Sequence, residues 1–144
     1  RLELDTLMQA YSEIQKQSEW IVVEGAGGFL TPLNDQEDLG DFAEQIDLPM
    51  ILVVGMKLGC INHALLSMEA FKTRDLKVAG WIANALSPEM HLLAENIETL
   101  RSKINAPFLG LIPQLPPAIK KPDNSPYCIE ALSFAAQHIQ LPNE

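Results

Sequence analysis

The sequence predicts an α/β fold with a doubly wound, mostly parallel sheet. Continuous apolar runs, bounded by Gly, Pro or Asn, have the length and composition of buried strands. Segments of helical length separate these runs and give the order α-β-α-β-α-β-α-β-α, which requires right-handed crossovers between parallel strands. A chain of 144 residues is the size of one domain, so we expect residues 1–144 to form a single α/β domain.

The first third of the chain is predicted to contain two helices and one strand. Apolar residues recur at helical spacing over residues 2–17. Trp20-Ile-Val-Val-Glu24 is an apolar run that ends in an acid, and it predicts a strand buried on both faces. A loop over residues 29–36 leads to a short helix at about 37–46.

The remaining elements continue the alternation. Strands are predicted at residues 49–55, 76–84 and 108–113. Helices are predicted at residues 60–74, 87–104 and 127–140. Ser87-Pro88-Glu89 is typical of a helix start, because it combines a capping hydroxyl, a proline in the first turn and an acid near the positive end of the helix dipole. The Pro-rich loop 113–126 is long enough to indicate a function.

Composition and charge exclude several classes of protein. The formal net charge is −9 without any cluster of Lys and Arg, which argues against nucleic acid as a partner. No apolar run approaches the roughly 20 residues that cross a bilayer, so we expect no membrane partner. Cys60 and Cys128 form no disulfide framework and favour a reducing, cytoplasmic location. Because Arg1 leads directly into a helical pattern, we expect the chain to be a piece of a longer protein.

Glu24 and the glycines after it form the first candidate site. An unpaired carboxylate is unfavourable inside a sheet, so we expect Glu24 at the carboxyl end of its strand, the edge where α/β sheets bind ligands. Gly25, Gly27 and Gly28 allow the backbone to approach a ligand closely. A carboxylate there suits magnesium, and magnesium suits phosphate. The alternative is a tight turn whose acid is only solvated.

The segment Gly55-Met-Lys-Leu-Gly-Cys-Ile-Asn62 forms the second candidate site. Gly55 and Gly59 bracket a sharp turn, and the helix that opens at Cys60 has free N–H groups that favour an anion. An ordinary strand-to-helix turn explains this pattern equally well. Cys60 and His63 are only a weak indication of zinc, because they lack a second pair of ligands.

Two further strand ends complete the candidate site. Asn84 ends one predicted strand, and Pro113-Gln-Leu115 follows another. Parallel strands present their carboxyl ends at one edge of a sheet, so we expect all four strand ends to converge there. Taken alone, Asn84 is also a common turn former.

Four blocks recur in a fixed order with a characteristic spacing. They are Val22-Val-Glu-Gly-Ala-Gly-Gly28 with Thr31-Pro-Leu33, Val53-Val-Gly-Met-Lys-Leu-Gly-Cys-Ile-Asn-His63, Gly80-Trp-Ile-Ala-Asn84 and Pro107-Phe-Leu-Gly-Leu-Ile-Pro113. In these blocks the chain resembles the dethiobiotin synthetase family over nearly all of its length from residue 20 onward. The Lys-Leu-Gly-Cys-Ile-Asn-His run is the most distinctive part.

The resemblance implies a P-loop-type α/β fold, which this chain would form incompletely at its N-terminal side. It also implies an enzyme that works as a homodimer. The family uses ATP and magnesium to join carbon dioxide to 7,8-diaminopelargonate, which closes the ureido ring of dethiobiotin in biotin biosynthesis. The reaction passes through a carbamate and a carbamic–phosphoric anhydride. Phosphoryl transfer of this kind depends mainly on positioning the reacting groups and neutralising the charge of the phosphates.

The resemblance also implies roles for individual residues. Glu24 would bind magnesium. The nucleotide would be bound by Glu24, Gly25, Ala26 and Gly27 at the phosphates and by Asn84, Ala85, Pro113, Gln114 and Leu115 around the base. The tail carboxylate of the substrate would be held across the dimer interface by Leu58, Gly59, Cys60, Ile61 and Asn62.

The chain departs from the family pattern at three places. It contains no Gly-x-x-x-x-Gly-Lys-Ser/Thr sequence, the phosphate loop that the family places upstream. The catalytic residues are therefore expected outside this chain, which alone is expected to be inactive. Lys120 stands where some members have an acid near the nucleotide, and Asn96 where relatives can have a tyrosine near the substrate.

Two other functions are compatible with such a sheet. A nucleotide-responsive regulatory or partner-binding module of the P-loop superfamily would keep the sheet and the magnesium acid, but would not need a carboxylate-binding segment at residues 59–62. An amidotransferase-linked relative that activates a carboxylate with ATP would use a similar sheet edge. The intact segment 59–62 favours the ligase.

Overall fold

The computed structural model of the chain describes residues 2–87, 90–121 and 126–141. The helices in this part are α1 (Leu4–Gln15), α2 (Leu39–Ile46), α3 (Cys60–Thr73), α4 (Leu93–Lys103) and α5 (Ile129–Ala136). The strands are β1 (Met50–Met56), β2 (Val78–Ala85) and β3 (Phe108–Ile112), and a 3-10 turn spans Pro117–Ile119. None of the helices described is long and apolar enough to span a bilayer.

The three strands form a parallel sheet in the order β1-β2-β3. Strands that follow one another in the chain are neighbours in the sheet, with α3 connecting β1 to β2 and α4 connecting β2 to β3. Parallel neighbours need such crossover connections because a tight turn cannot join them. The predicted α/β fold with a parallel sheet is confirmed.

The core of the sheet lies beneath α3 and α4. Side chains alternate between the two faces of a strand, so Val54 and Met56 share one face with Trp81 and Ala83 of the neighbouring strand. The buried apolar cluster on this face consists of Val54, Met56, Cys60, Ala64, Trp81, Ala83, Ile97, Leu100 and Ile104. Both crossover helices are therefore held on the sheet by apolar burial.

The C-terminal segment packs closely against β3. A side chain at Gly110 would collide with the carbonyl oxygen of His138, so only glycine allows the two backbones to approach. The N–H of Gln140 donates to the carbonyl of Leu109 at 2.8 Å. Leu109 in turn packs over Gly80, where an added Cβ would lie 2.6 Å from its Cγ.

The described residues divide into two compact units. Residues 2–48 and 72–76 form the first, and the sheet with its helices forms the second. Within the first unit α1 and α2 pack together, and the rings of Tyr11 and Phe42 meet edge to face with centroids 6.4 Å apart.

A capping box fixes the start of α2 inside the first unit. The carboxylate of Asp38 accepts from the N–H of Asp41 at 3.0 Å, and the carboxylate of Asp41 accepts from the N–H of Asp38 at 2.7 Å. These two hydrogen bonds satisfy donors that the first turn of a helix leaves free. The helix consequently begins at Leu39, two residues later than the sequence predicts.

The predicted strand at residues 20–24 is wrong. The segment is irregular, and Trp20 and Val22 are 81% and 94% exposed. An apolar run becomes a strand only when its backbone pairs with a neighbouring strand, and none of the described strands pairs with this segment. The described sheet therefore contains three of the four predicted strands.

The helix predicted from Ser87 to Ile104 begins later than expected. It starts at Leu93, after Leu92 in the left-handed conformation at φ +57°. The backbone N–H of Asn96 and its side-chain Nδ2 both donate to the carbonyl of Leu92, at 2.9 and 2.7 Å. Pro88 and Glu89, which suggested the earlier start, lie outside the described residues. The other predicted helices and strands are confirmed to within about four residues at each end, the usual uncertainty of element ends.

Candidate functional site

The carboxyl ends of the three strands meet at one edge of the sheet. The strand register pairs Gly55 with Asn84, and Asn84 with Ile112. Adjacent strands lie about 5 Å apart, so the segments that follow these residues start side by side. The structure thus brings together three of the four predicted strand ends, namely the turn after β1, the end of β2 and the segment after β3.

Gly59 shapes the turn between β1 and α3. Its φ is +89°, and an added Cβ would meet no atom within 4 Å, so the backbone conformation rather than lack of space requires glycine. Leu58, at the tip of the turn, is 99% exposed. The carbonyl of Gly59 accepts from the N–H of His63 at 3.1 Å and so begins the helix.

Two backbone N–H groups at the start of α3 are left for a ligand. The N–H of Cys60 donates to the carbonyl of Lys57 at 3.0 Å, and that of His63 is used by Gly59. Within the described residues, the N–H groups of Ile61 and Asn62 have no backbone acceptor. Together with the exposed amide side chain of Asn62, they form a cradle of the type that binds anions at helix N-termini.

Cys60 does not offer its own polar groups to this cradle. Its side chain is 3% exposed and belongs to the core cluster, and its N–H is already bonded inside the turn. Among the five residues predicted to hold a carboxylate, Cys60 therefore anchors the helix start to the core while Ile61 and Asn62 present the donors.

The other two strand ends provide a half-buried surface beside this turn. Asn84 and Ala85 close β2, and both are half-buried. Pro113, Gln114 and Leu115, also half-buried, follow β3 without regular structure and lead into the 3-10 turn. A planar group such as a nucleobase could lie here, with an amide at position 84 to read its edge.

Lys120 and Asn96, the two side chains that depart from the family pattern, have different surroundings. Lys120 follows the 3-10 turn and is exposed. Asn96 uses its amide nitrogen within the first turn of α4, as the hydrogen bond to Leu92 at 2.7 Å indicates. Its amide therefore has a structural role at the start of α4.

Glu24 begins an exposed loop in the first unit, residues 24–31, which we call the glycine loop. Gly27 and Gly28 have φ values of +89° and +122°. The hydroxyl of Thr31 donates to the carbonyl of Gly28 at 2.9 Å and closes the turn. Glu24 is exposed and precedes this turn, although it does not lie at the end of a formed strand as predicted. Gly25 and Ala26 are exposed with it.

An ion-pair cluster that sequence patterns do not reveal lies next to the glycine loop. Arg74, which follows α3, binds the carboxylates of Asp38 at 2.9 Å, Asp41 at 2.8 Å and Glu44 at 3.3 Å. Its guanidinium carbon lies 5.6 Å from the ring centre of Phe29. These acids precede Arg74 by 36, 33 and 30 residues, so only the capping pair was recognisable from local spacing.

The cluster shifts the pKa values of two of its members. The pKa of Asp41 lies below its ordinary value, mainly because the N–H of Asp38 donates to its carboxylate and also because Arg74 does. The pKa of Arg74 is raised, chiefly by its hydrogen bond to Asp41. Each shift favours the charged form, so the ion pairs persist at neutral pH.

The chemistry of Glu24 fits magnesium as a single ligand. Magnesium prefers carboxylate oxygens and is usually held by one or two of them together with phosphate oxygens and water. In the part of the chain that the structure describes, no group of three or more His, Cys, Asp or Glu could hold a metal ion. Glu24, an exposed carboxylate before a glycine turn, could supply one such carboxylate oxygen, with phosphate and water as the other ligands.

Comparison with known proteins defines the class of the chain. The model of the AAA domain family matches residues 1–121, which include the glycine loop, the sheet and the segment after β3. The chain therefore belongs to the AAA domain family.

The curated relatives that match the chain are dethiobiotin synthetases. The ATP-dependent dethiobiotin synthetase BioD of Aromatoleum aromaticum is 50% identical over 106 residues, which are 74% of this chain and 47% of that protein. The protein of the same name from Nitrosospira multiformis is 45% identical over 112 residues, 78% of this chain and 50% of the relative. That of Yersinia pestis is 46% identical over 114 residues, 79% and 48% of the two chains. These matches confirm the resemblance read from the four blocks, and the chain spans about half the length of these relatives.

Proposed function

We propose that this chain is part of an ATP- and magnesium-dependent ligase that closes the ureido ring of dethiobiotin from 7,8-diaminopelargonate and carbon dioxide. The observation that carries the proposal is the helix-start cradle at Ile61 and Asn62, which lies on the same sheet edge as Asn84. The names of the relatives support the same reaction. A regulatory module would need no such cradle.

Within this proposal the sheet edge binds two ligands. Asn84 and Ala85, with the segment 113–115, border the adenine base of ATP. The N–H groups of Ile61 and Asn62 hold the tail carboxylate of the substrate, since a helix start favours negative charge. Leu58, fully exposed at the tip of the turn, is suited to contact a second protomer, which supports a homodimer with the carboxylate bound across its interface.

The glycine loop serves the phosphates in this proposal. Gly25, Ala26 and Gly27 border the triphosphate, and Glu24 is one ligand to magnesium, which would neutralise phosphate charge. An amine of the substrate takes up carbon dioxide as a carbamate, and a carbamate oxygen attacks the γ-phosphate to release ADP. The second amine then attacks the carbamoyl carbon of the anhydride, displaces phosphate and closes the ring.

The complete enzyme of this proposal is the chain together with a segment that supplies the phosphate loop. That segment also carries the carbamate-binding lysine and a second metal-binding acid. We propose that the two compact units belong to one α/β domain of this enzyme. We also propose a cytoplasmic location, where ATP is abundant and the cysteines stay reduced.

The central test is a substitution at Glu24 in the complete enzyme. Glu24→Gln should lower kcat for dethiobiotin formation by at least ~10²-fold, because an amide is a poorer magnesium ligand than a carboxylate. Glu19→Gln, at another exposed acid shortly before Glu24 in the chain, is the matched control and should leave kcat unchanged. Dethiobiotin is measured by mass spectrometry with labelled bicarbonate. Full activity of Glu24→Gln would remove the metal role, and nucleotide binding without any ring closure would favour the regulatory module.

A further inference from the structure

We propose that Arg74 is a positioning residue, which holds the glycine loop in the conformation that receives the triphosphate of ATP and its metal ion. This inference rests on the proposed function, because the conformation of the loop matters to activity only if the loop binds nucleotide. Arg74 itself touches no reacting group in the proposal. It acts through Phe29 and through the start of α2.

The first connection from Arg74 to the glycine loop is direct. Its guanidinium lies over the ring of Phe29, with 5.6 Å between the guanidinium carbon and the ring centre. Phe29 follows Gly28, and Gly27 and Gly28 adopt positive φ values. Glycines lose more conformational entropy on ordering than other residues, so a loop of this composition needs an anchor to keep one shape. Phe29 is the large side chain next to these glycines, and Arg74 contacts it.

The second connection runs through the start of α2. Arg74 binds Asp38, and Asp38 forms an antiparallel bridge with Pro32. The N–H of Leu39 donates to the carbonyl of Thr31 at 3.0 Å. The hydroxyl of Thr31 in turn holds the carbonyl of Gly28 at 2.9 Å. Arg74 is therefore linked to both the middle and the end of the glycine loop.

Gly40 provides the space that the guanidinium occupies. An added Cβ at this position would lie 2.8 Å from the guanidinium carbon of Arg74 and 2.9 Å from Nη1. A side chain here would displace Arg74 from its carboxylate partners or force α2 to shift. The pairing of a glycine with three acids around one arginine indicates a site adapted to that arginine.

The test uses Arg74→Met in the complete enzyme, because methionine keeps most of the side-chain volume but has no charge. We expect the Kd for MgATP, measured by calorimetry without the second substrate, to rise about tenfold, with a similar rise of the KM for MgATP. The KM for diaminopelargonate should stay unchanged. Arg74→Lys should restore part of the affinity, since lysine keeps the charge but cannot bind several carboxylates with one planar group.

Arg101→Met is the matched control. Arg101 also combines an ion pair, to Glu98 at 3.3 Å, with an aromatic contact, 5.3 Å from the ring centre of Phe108, but it lies on α4 away from the glycine loop in the chain. This variant should leave both the Kd and the KM for MgATP unchanged. An equal loss in the Arg101 and Arg74 variants would contradict a specific role for Arg74.

Phe29→Leu decides the question if Arg74→Met fails to fold. It removes the aromatic ring but keeps the ion pairs of Arg74, and it should also weaken MgATP binding selectively. If Arg74→Met folds, unchanged MgATP affinity of that variant would overturn the inference. If Arg74→Met does not fold, unchanged MgATP affinity of Phe29→Leu would overturn it. So would equal rises of the KM for both substrates. Wild-type enzyme that forms no dethiobiotin would instead refute the proposed function, whatever the effect of Arg74 on nucleotide binding.

Discussion

At the scale of single residues, Gly59 allows a test of the proposed carboxylate site, because its backbone conformation requires glycine. Its φ of +89° is unfavourable for residues with a side chain, by roughly 1–2 kcal/mol, although an added Cβ would find open space. Gly59→Ala in the complete enzyme should therefore shift the turn and move the N–H groups of Ile61 and Asn62. We expect the KM for diaminopelargonate to rise about tenfold and the KM for ATP to change little, as measured by steady-state kinetics.

Gly28 offers a matched comparison because it combines a φ of +122° with equally open space. Gly28→Ala strains the glycine loop instead of the helix-start turn. It should raise the KM for ATP and leave that for diaminopelargonate unchanged. If Gly59→Ala and Gly28→Ala produce the same pattern of KM values, residues 58–62 do not form a separate carboxylate site.

Sequence patterns singled out Gly59 and Glu24 as candidates but not Arg74, and the reason is sequence distance. A glycine in a turn and an acid before a glycine run are recognisable from their neighbours in the chain. Arg74 acquires its role from Asp38, Asp41 and Phe29, which tertiary folding brings to it. The same limit applies to Cys60, whose bonded N–H and buried thiol depend on the packing of α3 on the sheet.

At the scale of helices and strands, the attachment of α4 to the sheet depends on Leu100, which is fully buried in the core cluster. Leu100→Ala removes three heavy atoms from a packed site and should lower the free energy of unfolding by about 2–5 kcal/mol. Leu66→Ala on α3 makes the same chemical change at a side chain that is 60% exposed, and should have a much smaller effect. Urea unfolding of the complete enzyme measures both, and equal losses would contradict the described core.

The contribution of the α2 start to the free energy of unfolding should fall in acid, because the pKa of Asp41 is depressed. Its carboxylate accepts from the N–H of Asp38 and from Arg74, and these bonds require the charged form. A depressed folded pKa stabilises the protein fully above the ordinary value of about 3.9, and the stabilisation is lost as the pH falls through the lower folded pKa. Unfolding free energy should therefore fall with decreasing pH below about pH 4.

Asp41→Asn separates this effect from general acid unfolding. The variant should be less stable at neutral pH and should show a shallower loss of stability in acid, measured by denaturant unfolding at several pH values. Glu13→Gln, at an exposed acid of α1, serves as the control and should keep the wild-type acid dependence. Parallel pH profiles for wild type and Asp41→Asn would show that this carboxylate does not govern the acid response.

The strands illustrate how far local sequence determines secondary structure. Residues 49–55 and residues 20–24 are both predicted to form buried apolar strands, yet only the first prediction is confirmed, by β1. β1 pairs with β2 through seven residue pairs from Met50 to Met56, whereas none of the described strands pairs with the segment 20–24. Apolar composition indicates that a segment can be buried, but the pairing partner decides whether a strand is made.

At the scale of the whole molecule, the sites predicted from the sequence are divided between the two compact units. The glycine loop belongs to the first unit, and the sheet edge with its helix-start cradle belongs to the second. The chain spans about half the length of its curated relatives, and its sequence has no Gly-x-x-x-x-Gly-Lys-Ser/Thr motif. The proposed nucleotide site therefore lacks the backbone N–H groups and the lysine that would surround the β- and γ-phosphates.

This division predicts how the 144-residue chain alone should bind ATP. Most of the affinity of such sites comes from the phosphate loop, so the base-binding edge and Glu24 alone should give a Kd of about 1 mM or weaker. Calorimetric titration of the isolated chain with MgATP measures this value, with the complete enzyme as the control under identical conditions. Micromolar binding by the isolated chain would mean that these residues form a nucleotide site of their own, and the proposed role of an additional phosphate loop would have to be abandoned.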